Sequence, residues 1–522
     1  MPRQSTRPTR KAAARAVASP ISKEKRSPST SPKKNSSKKQ SPSTSPKKNS
    51  SKKQSPSPSP KKGAKKAAPA RKRGRNESSL TPEPEEVTSI TKEKGGDQVN
   101  GKPTQTSPRA KRQKAVSDFN IPFPYTRTGD VFVVGSGDCG QLGLGPDVLE
   151  KERVGLLQYF RDKKIVSIVA GGLHNIALDI NGKMYSWGCN DQLALGRGGE
   201  ETEPAPVEGL EDKVVVQVAC GDSISAALTK EGQVYTWGTF RNSTGIFGYY
   251  PGIEIQPRPR LVKELPKHVA QIAAGTNHLV AITKEGKMYT WGVGEQGQLG
   301  HKVISRHTKE GSLIPRRINF YPKGISKNGR RVKKNFTRVF CGGYTTYLVH
   351  ESNAVYAYGL NNYGQLGVGP TSEEVYDPML IDGVDPENGL QAIAGGEHHT
   401  LLLDDKGDVY AFGRGDSGQL GLGNTVERQD TPVKIPTLSN VRSISANGSF
   451  SLAVCHPVEN ETVSNFYTWG YGDMGQLANQ GAGDEEAPFH VDFKGREAIT
   501  ASAGGQHTVI LVQPRPAQPK SE

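Results

Sequence analysis

From residue 129 onward the chain alternates short apolar segments with glycine-rich turns, and the alternation repeats. One half-unit is built on aromatic-x-aromatic-Gly and leads into a turn of the Gly-Gln-Leu-Gly kind. It reads FVVGSGDCGQLGLG at 132–145, YSWGCNDQLALG at 185–196, YTWGTFRNSTGIFG at 235–248 and YTWGVGEQGQLG at 289–300. It continues as YAYGLNNYGQLGVG at 356–369, YAFGRGDSGQLGLG at 410–423 and YTWGYGDMGQLANQG at 467–481. Its anchor glycines are 135, 188, 238, 292, 359, 413 and 470, so the steps are 53, 50, 54, 67, 54 and 57. A second half-unit, hydrophobic-x-Ala-Gly-Gly-x-His, follows each: VAGGLHNIAL at 169–178 is one copy and SAGGQHTVIL at 502–511 the last. Short alternating apolar runs bounded by Gly are strand chemistry. All four Trp (187, 237, 291 and 469) fall in one column of the repeat.

Turn signals such as Ile180-Asn181-Gly182, Lys230-Glu231-Gly232, Lys284-Glu285-Gly286 and Asp405-Lys406-Gly407 tie each second half-unit to the next first half-unit as a hairpin. A blade is then one copy's Gly-Gly-His half joined to the next copy's aromatic-Gly half. That leaves the first aromatic-Gly half (129–145) and the last Gly-Gly-His half (502–511) unpaired. Joining them closes a ring and removes the exposed strand edges. An open solenoid would need polar capping repeats, and none is visible. The expectation is an all-β, seven-bladed β-propeller over 118–512.

Composition changes the picture mainly before residue 118. Sixty Gly and 36 Pro in 522 residues suit many short strands and turns, so three or four separate domains of ordinary size are not expected. No stretch approaches a membrane span, and the basic first thirty residues lack the apolar core of a signal peptide. Five scattered Cys (139, 189, 220, 341 and 455) form no CxxC pair, which fits a reducing compartment. The net charge of +17 is unevenly spread: residues 1–117 hold 31 Lys/Arg against 7 Asp/Glu, whereas 118–522 hold 38 against 45. Residues 1–117 are also nearly free of apolar side chains, so they read as a disordered basic arm; 513–522 read as a short disordered tail.

Within the arm SPSTSPKKNSSKKQ occurs at 27–40 and again at 41–54, and a third SPKK runs from Ser59 to Lys62. Each SPKK can turn at its Ser-Pro step and offer two ammonium groups to DNA phosphates. Ser31, Ser45 and Ser59 fit the pattern of proline-directed kinases, and phosphates there would oppose that contact. Basic clusters at 61–75 and 109–114 are candidate signals for nuclear import receptors, giving a nuclear address.

The half-units resemble the regulator of chromosome condensation family, with its seven-bladed propeller, over essentially all of 129–512. The resemblance narrows to the branch that acts as the chromatin-bound guanine-nucleotide exchange factor for the GTPase Ran. Repeat three lacks Gly-Gln-Leu-Gly and resembles the family's β-wedge, through Arg241, Asn242, Ser243, Thr244, Gly245, Ile246 and Phe247. The basic arm is typical of that branch, and arm plus ring account for the length. The resemblance implies non-covalent exchange with no cofactor, metal or membrane, and with Ran and the nucleosome as partners. The alternative is a chromatin-anchoring propeller without exchange activity. No nucleophile–base pair supports a hydrolase or redox enzyme.

The same resemblance assigns site residues. Asp222 in ACGDS matches an acidic residue the family turns towards Ran, and His399 in GGEHH matches a His important for exchange. Asn277 stands where the founding member has Asp, and His301 where animal members have Arg. Asp138 and the further His of the repeat column, His174, His278 and His507, are weaker GTPase-facing candidates; hydrogen bonding at strand starts is the competing role for the histidines, and an Asx-type turn for Asp138. Residues 302–338 hold 12 Lys/Arg and a single acid, Glu310. This excess suggests one polyanion-facing edge, with Arg306 and Lys309 towards the histone acidic patch and Arg330, Arg331, Lys333 and Lys334 towards DNA. The GxGxxG strings at 135–140, 292–297, 413–418 and 470–475 run into Gln-Leu and not into a helix, so they are turns and not dinucleotide sites.

Overall fold

The computed structural model describes residues 121–303, 305–320, 326–327, 330–331, 336–423, 426–457, 465–493 and 495–514. The basic arm with Ser31, Ser45 and Ser59 lies outside the described residues, as do Lys333, Lys334 and the tail beyond 514.

The described residues form seven four-stranded antiparallel sheets and two short two-stranded ribbons. The sheets are blades, and each follows one plan. In blade 1 the strands run Ile165–Ala170, His174–Asp179, Met184–Gly188 and Ala205–Pro206 from the axis outwards. Blade 2 comprises Val215–Cys220, Ile224–Thr229, Val234–Gly238 and Gln256–Leu261; blade 3 comprises Val269–Ala274, His278–Thr283, Met288–Gly292 and Arg316–Ile318. Blades 4, 5 and 6 begin at Phe336, Ala392 and Val441. Blade 7 takes Ala498–Ala503 and His507–Val512 from the chain's end, and Asp130–Ser136 and Glu150–Leu156 from its start. The closing register runs from Asp130 opposite Val512 to Gly135 opposite His507, so the pairing of the two terminal half-units closes the propeller as expected.

The ends of the first strands converge on a cavity of about 170 Å³ at the axis, whose lining includes Ala170, Cys220, Ala274, Cys341, Ala394 and Ala503. Small side chains fit this crowded position, where seven strands approach one another. Side chains also stitch neighbouring first strands together. Gln217 exchanges two bonds with the Ile272 backbone at 2.9 and 3.0 Å, and Gln271 does the same with Val339 at 2.8 and 3.1 Å. The apolar core is divided among the gaps between blades. Each Gly-Gln-Leu-Gly turn braces the next blade there. Trp237 donates its indole N–H to Ala194 O at 2.7 Å, and Trp469 donates to Gln419 O at 3.0 Å. Gly196 and Gly421 have positive φ, and a Cβ on either would stand under 3 Å from those indoles.

Antiparallel order gives the ring two distinct faces. The Gly-Gly turns and the loops between third and fourth strands share one face. The hairpins and the blade-to-blade crossings share the other. The basic stretch 302–338, expected as one edge, is therefore divided. Helix Ser305–Ser312, which carries Arg306 and Lys309, leaves from the Gly-Gly face. The ribbon of Ser326–Lys327 and Arg330–Arg331 follows the fourth strand of blade 3 and belongs to the opposite face. The fourth strand Arg316–Ile318 lies inside the basic stretch and separates its two parts.

Residues 121–129 run across that opposite face. Gly129 pairs with Ile165, Phe123 packs against the cores on both sides of blade 2, and Ile121 N–H donates to Lys230 O at 2.9 Å. Arg127 holds Glu497 through two bonds of 2.8 and 2.6 Å.

Candidate functional site

The Gly-Gly turns form a hoop around the axis. Asp222 N–H donates to Thr276 O at 2.9 Å, Thr276 to Gly343 at 3.0 Å, Gly343 to Gly396 at 2.9 Å and Glu397 to Gly448 at 3.0 Å. Gly505 N–H donates to Gly172 O at 2.8 Å and Gly172 N–H to Gly221 O at 3.2 Å, while between blades 6 and 7 the Asn447 side chain donates to Ala503 O at 3.3 Å. The hoop holds its side chains at fixed places on one face, which is the preorganisation a docking surface needs.

The four column histidines stand beneath the hoop and not on it. His174, His278, His399 and His507 are at most 1% exposed. Each Nε2 meets a polar side chain of the following blade: Ser225 at 2.8 Å, Thr346 at 2.9 Å, Ser451 at 2.8 Å and Asn175 at 2.7 Å. Burial lowers their pKa to about 4 for His174 and about 3 for the other three, so they are neutral. His399, assigned directly to exchange by resemblance, is thus a staple between blades 5 and 6, out of a partner's reach. His301 is half-buried, with Nδ1 3.1 Å from Leu299 O. Asp138 is exposed, but its carboxylate accepts from Ser136 Oγ at 2.8 Å and Gln141 Nε2 at 3.1 Å, so it also shapes its own turn.

The wedge is a ribbon of Phe240–Asn242 and Gly245–Gly248 placed where the other repeats close a Gly-Gln-Leu-Gly turn. In those turns the Gln side chain accepts from a backbone N–H two residues earlier, as Gln141 does from Cys139 at 2.8 Å. Repeat three has no such Gln, and its chain runs outwards. Phe240 and Phe247 anchor the ribbon at 1% and 3% exposure, whereas Arg241, Ser243, Thr244 and Ile246 are exposed. Asn277 is buried and accepts from the Arg241 N–H at 2.7 Å, so it holds the wedge base. Lys309, expected at a chromatin contact, places Nζ 5.0 Å from the centre of the Phe247 ring. Arg306 lies on the same helix.

Asp222 stands on the hoop beside the wedge. Its surroundings push the carboxyl up to about 7: desolvation acts first, then the charge of Glu397, with Arg241 opposing both. Its side chain is nonetheless exposed at the surface of the hoop, as is that of Glu397. Asp138, Asp191, Asp416 and Asp473 add exposed carboxylates on the same face. Two residues that sequence reasoning passed over belong here. Glu397 occupies the turn position of Asp222, and His398 that of Asn277. Aligning the Gly-Gly turns column by column reveals both, whereas His399 draws attention only because the motif ends on it. The His398 ring lies 4.9 Å from that of Tyr363, tilted by 54°, and Arg414 lies 5.1 Å from the same Tyr363 ring. Burial, then Arg414, lowers His398 to about 4. Among the described residues no group of His, Cys, Asp and Glu is placed to hold a metal ion.

The RCC1-like domain model matches residues 130–510. The regulator of chromosome condensation of Xenopus laevis is 38% identical over 423 residues, covering 78% of this chain and 95% of that protein. The chain belongs to the regulator of chromosome condensation family. The guanine nucleotide exchange factor SRM1 of Saccharomyces cerevisiae is 34% identical over 453 residues, covering 76% of this chain and 88% of that family member. The crystal structure of Prp20p from the same yeast superposes with a TM-score of 0.67 at 30% identity, over 75% of this chain and 94% of Prp20p. That structure was described together with Prp20p's binding properties to Gsp1p and histones.

Proposed function

We propose that this protein is a chromatin-bound guanine-nucleotide exchange factor for the GTPase Ran. The observation that carries the reading is the wedge: a ribbon with an exposed tip, set beside Asp222 on the face rich in carboxylates, in place of a turn that the ring otherwise repeats. A relative named as an exchange factor, matched over most of both chains, supports it.

Exchange forms and breaks no covalent bond. A protein that binds the nucleotide-free GTPase more tightly than the loaded one must weaken nucleotide by the same factor. In this reading the wedge tip, Arg241 to Ile246, enters the phosphate-binding region of Ran and displaces the contacts that hold phosphate and magnesium. Asp222 and Glu397 hold a basic surface of the GTPase while it does so. Asn277 and His399 act at one remove, the first on the wedge base and the second on the hoop. Chromatin is held by the opposite face, where the ribbon with Arg330 and Arg331 lies and where the chain enters the ring at Ile121. The SPKK repeats and import clusters of the arm bring the protein to the nucleus and add phosphate contacts. GTPase and nucleosome then occupy separate faces, and Ran-GTP is produced where chromatin is.

Full-length protein at catalytic amounts should release fluorescent GDP from Ran, many turnovers per molecule, in the presence of excess GTP. Release no faster than from Ran alone would reject the reading and leave the chromatin-anchoring propeller.

A further inference from the structure

We propose that Glu295 and Lys309, both from blade 3, are positioning residues that clamp the wedge in its working orientation; this rests on the exchange reading above. A ribbon of three and four residues is at best marginally stable alone, and its tip extends beyond the blades' core. An element that must press a neighbouring protein's phosphate site gains from being held before contact.

Blade 3 supplies that hold. The Glu295 carboxylate accepts from Asn242 Nδ2 at 3.2 and 3.3 Å. Asn242 in turn shapes the tip: its Oδ1 accepts from Thr244 N–H at 3.1 Å and from the Thr244 hydroxyl at 2.8 Å. A charged acceptor on one end of the Asn242 amide thereby fixes the turn formed at the other. On the far strand Lys309 lies over the Phe247 ring at 5.0 Å, a cation–π contact. The buried Leu313 packs beside Gly248, 3.3 Å from where a Cβ would stand. Glu295 and Lys309 thus grip one strand each, and neither is at the tip that meets a partner. Glu295 fills a variable position of an ordinary repeat turn, and Lys309 lies in the insertion of blade 3.

The test compares wild type with Glu295→Ala, Glu295→Gln, Lys309→Ala and Lys309→Arg in the full chain. Steady-state GDP release from Ran and hydrogen exchange of the Thr244 amide in the free protein are both measured. Glu295→Ala should lower kcat by about tenfold, the size of effect that misplacing a positioned group by a fraction of an ångström can have. KM and Tm should stay close to wild type, and Thr244 should exchange faster. Glu295→Gln should restore most of kcat, since its amide oxygen still accepts from Asn242, and Lys309→Arg should restore what Lys309→Ala loses. Wild-type kcat with an unchanged Thr244 amide in the alanine variants would overturn the clamp. So would a rise in KM alone, which marks a direct partner contact. If wild type itself releases no GDP, the exchange reading fails, and Thr244 exchange alone decides the clamp.

Discussion

At Asp222 the fold keeps a carboxyl in surroundings that resist its charge. Its folded value near 7 lies far above the ordinary carboxyl range, because the hoop desolvates it and Glu397 faces it. The sign follows from linkage. Between pH 4 and 7 the unfolded chain ionises this group while the folded chain holds it protonated, so stability falls as pH rises across that window and levels off above it. Asp222→Asn should therefore melt above wild type at pH 8, with the gap closing towards pH 4. Binding moves the other way. Wild type should bind Ran more tightly as pH rises through 7, and Asp222→Asn should bind weakly at both ends. Titration of Ran binding at pH 6 and pH 8 checks this; equal affinity of the two proteins at pH 8 would remove Asp222 from the interface.

The blades are joined by contacts that cross from one to the next, and the buried histidines are the clearest of these. Their folded values of about 3 to 4 lie below the ordinary 6.5. The stability they confer is complete above pH 6.5 and is lost as pH falls towards 4, because the unfolded chain takes up protons first. Across this window each contributes a slope of about 1.4 kcal/mol per pH unit. His399→Gln should flatten acid unfolding by that amount, as chemical denaturation at several pH values would show. The strands themselves differ in how far the sequence reveals them. Second and third strands carry the apolar column and the Trp, so they stand out. The outermost strands do not: Gln256–Leu261 reads QPRPRL and Arg428–Lys434 reads RQDTPVK. An edge strand meets solvent on one side, where Pro and charge are tolerated and protect against pairing with other chains. The repeat marked the His column, yet its Ser partners lie 51 and 52 residues away and its Thr partner 68, and they become neighbours only when blades stack.

For the whole molecule, closure by the first and last half-units and the displaced turn of repeat three were both legible, because each is a departure from a strict period. The division of the basic stretch between two faces was not. It depends on the three-residue strand Arg316–Ile318, too short and too charged to register as a pattern. The clamp on the wedge was hidden for a similar reason, since Glu295 looks like any other turn residue until Asn242 is placed beside it. In the proposed reading the repeated parts of the ring serve stability and the displaced turn of repeat three serves exchange. The most direct measurement replaces 239–248 by a Gly-Gln-Leu-Gly turn taken from a neighbouring blade, and follows GDP release from Ran under catalytic conditions. The ring should persist, with an unchanged β-sheet signal. Release should fall to about one hundredth or less of wild type, as expected when contacts made chiefly in the transition state are removed. Release at the wild-type rate by the folded variant would contradict the account.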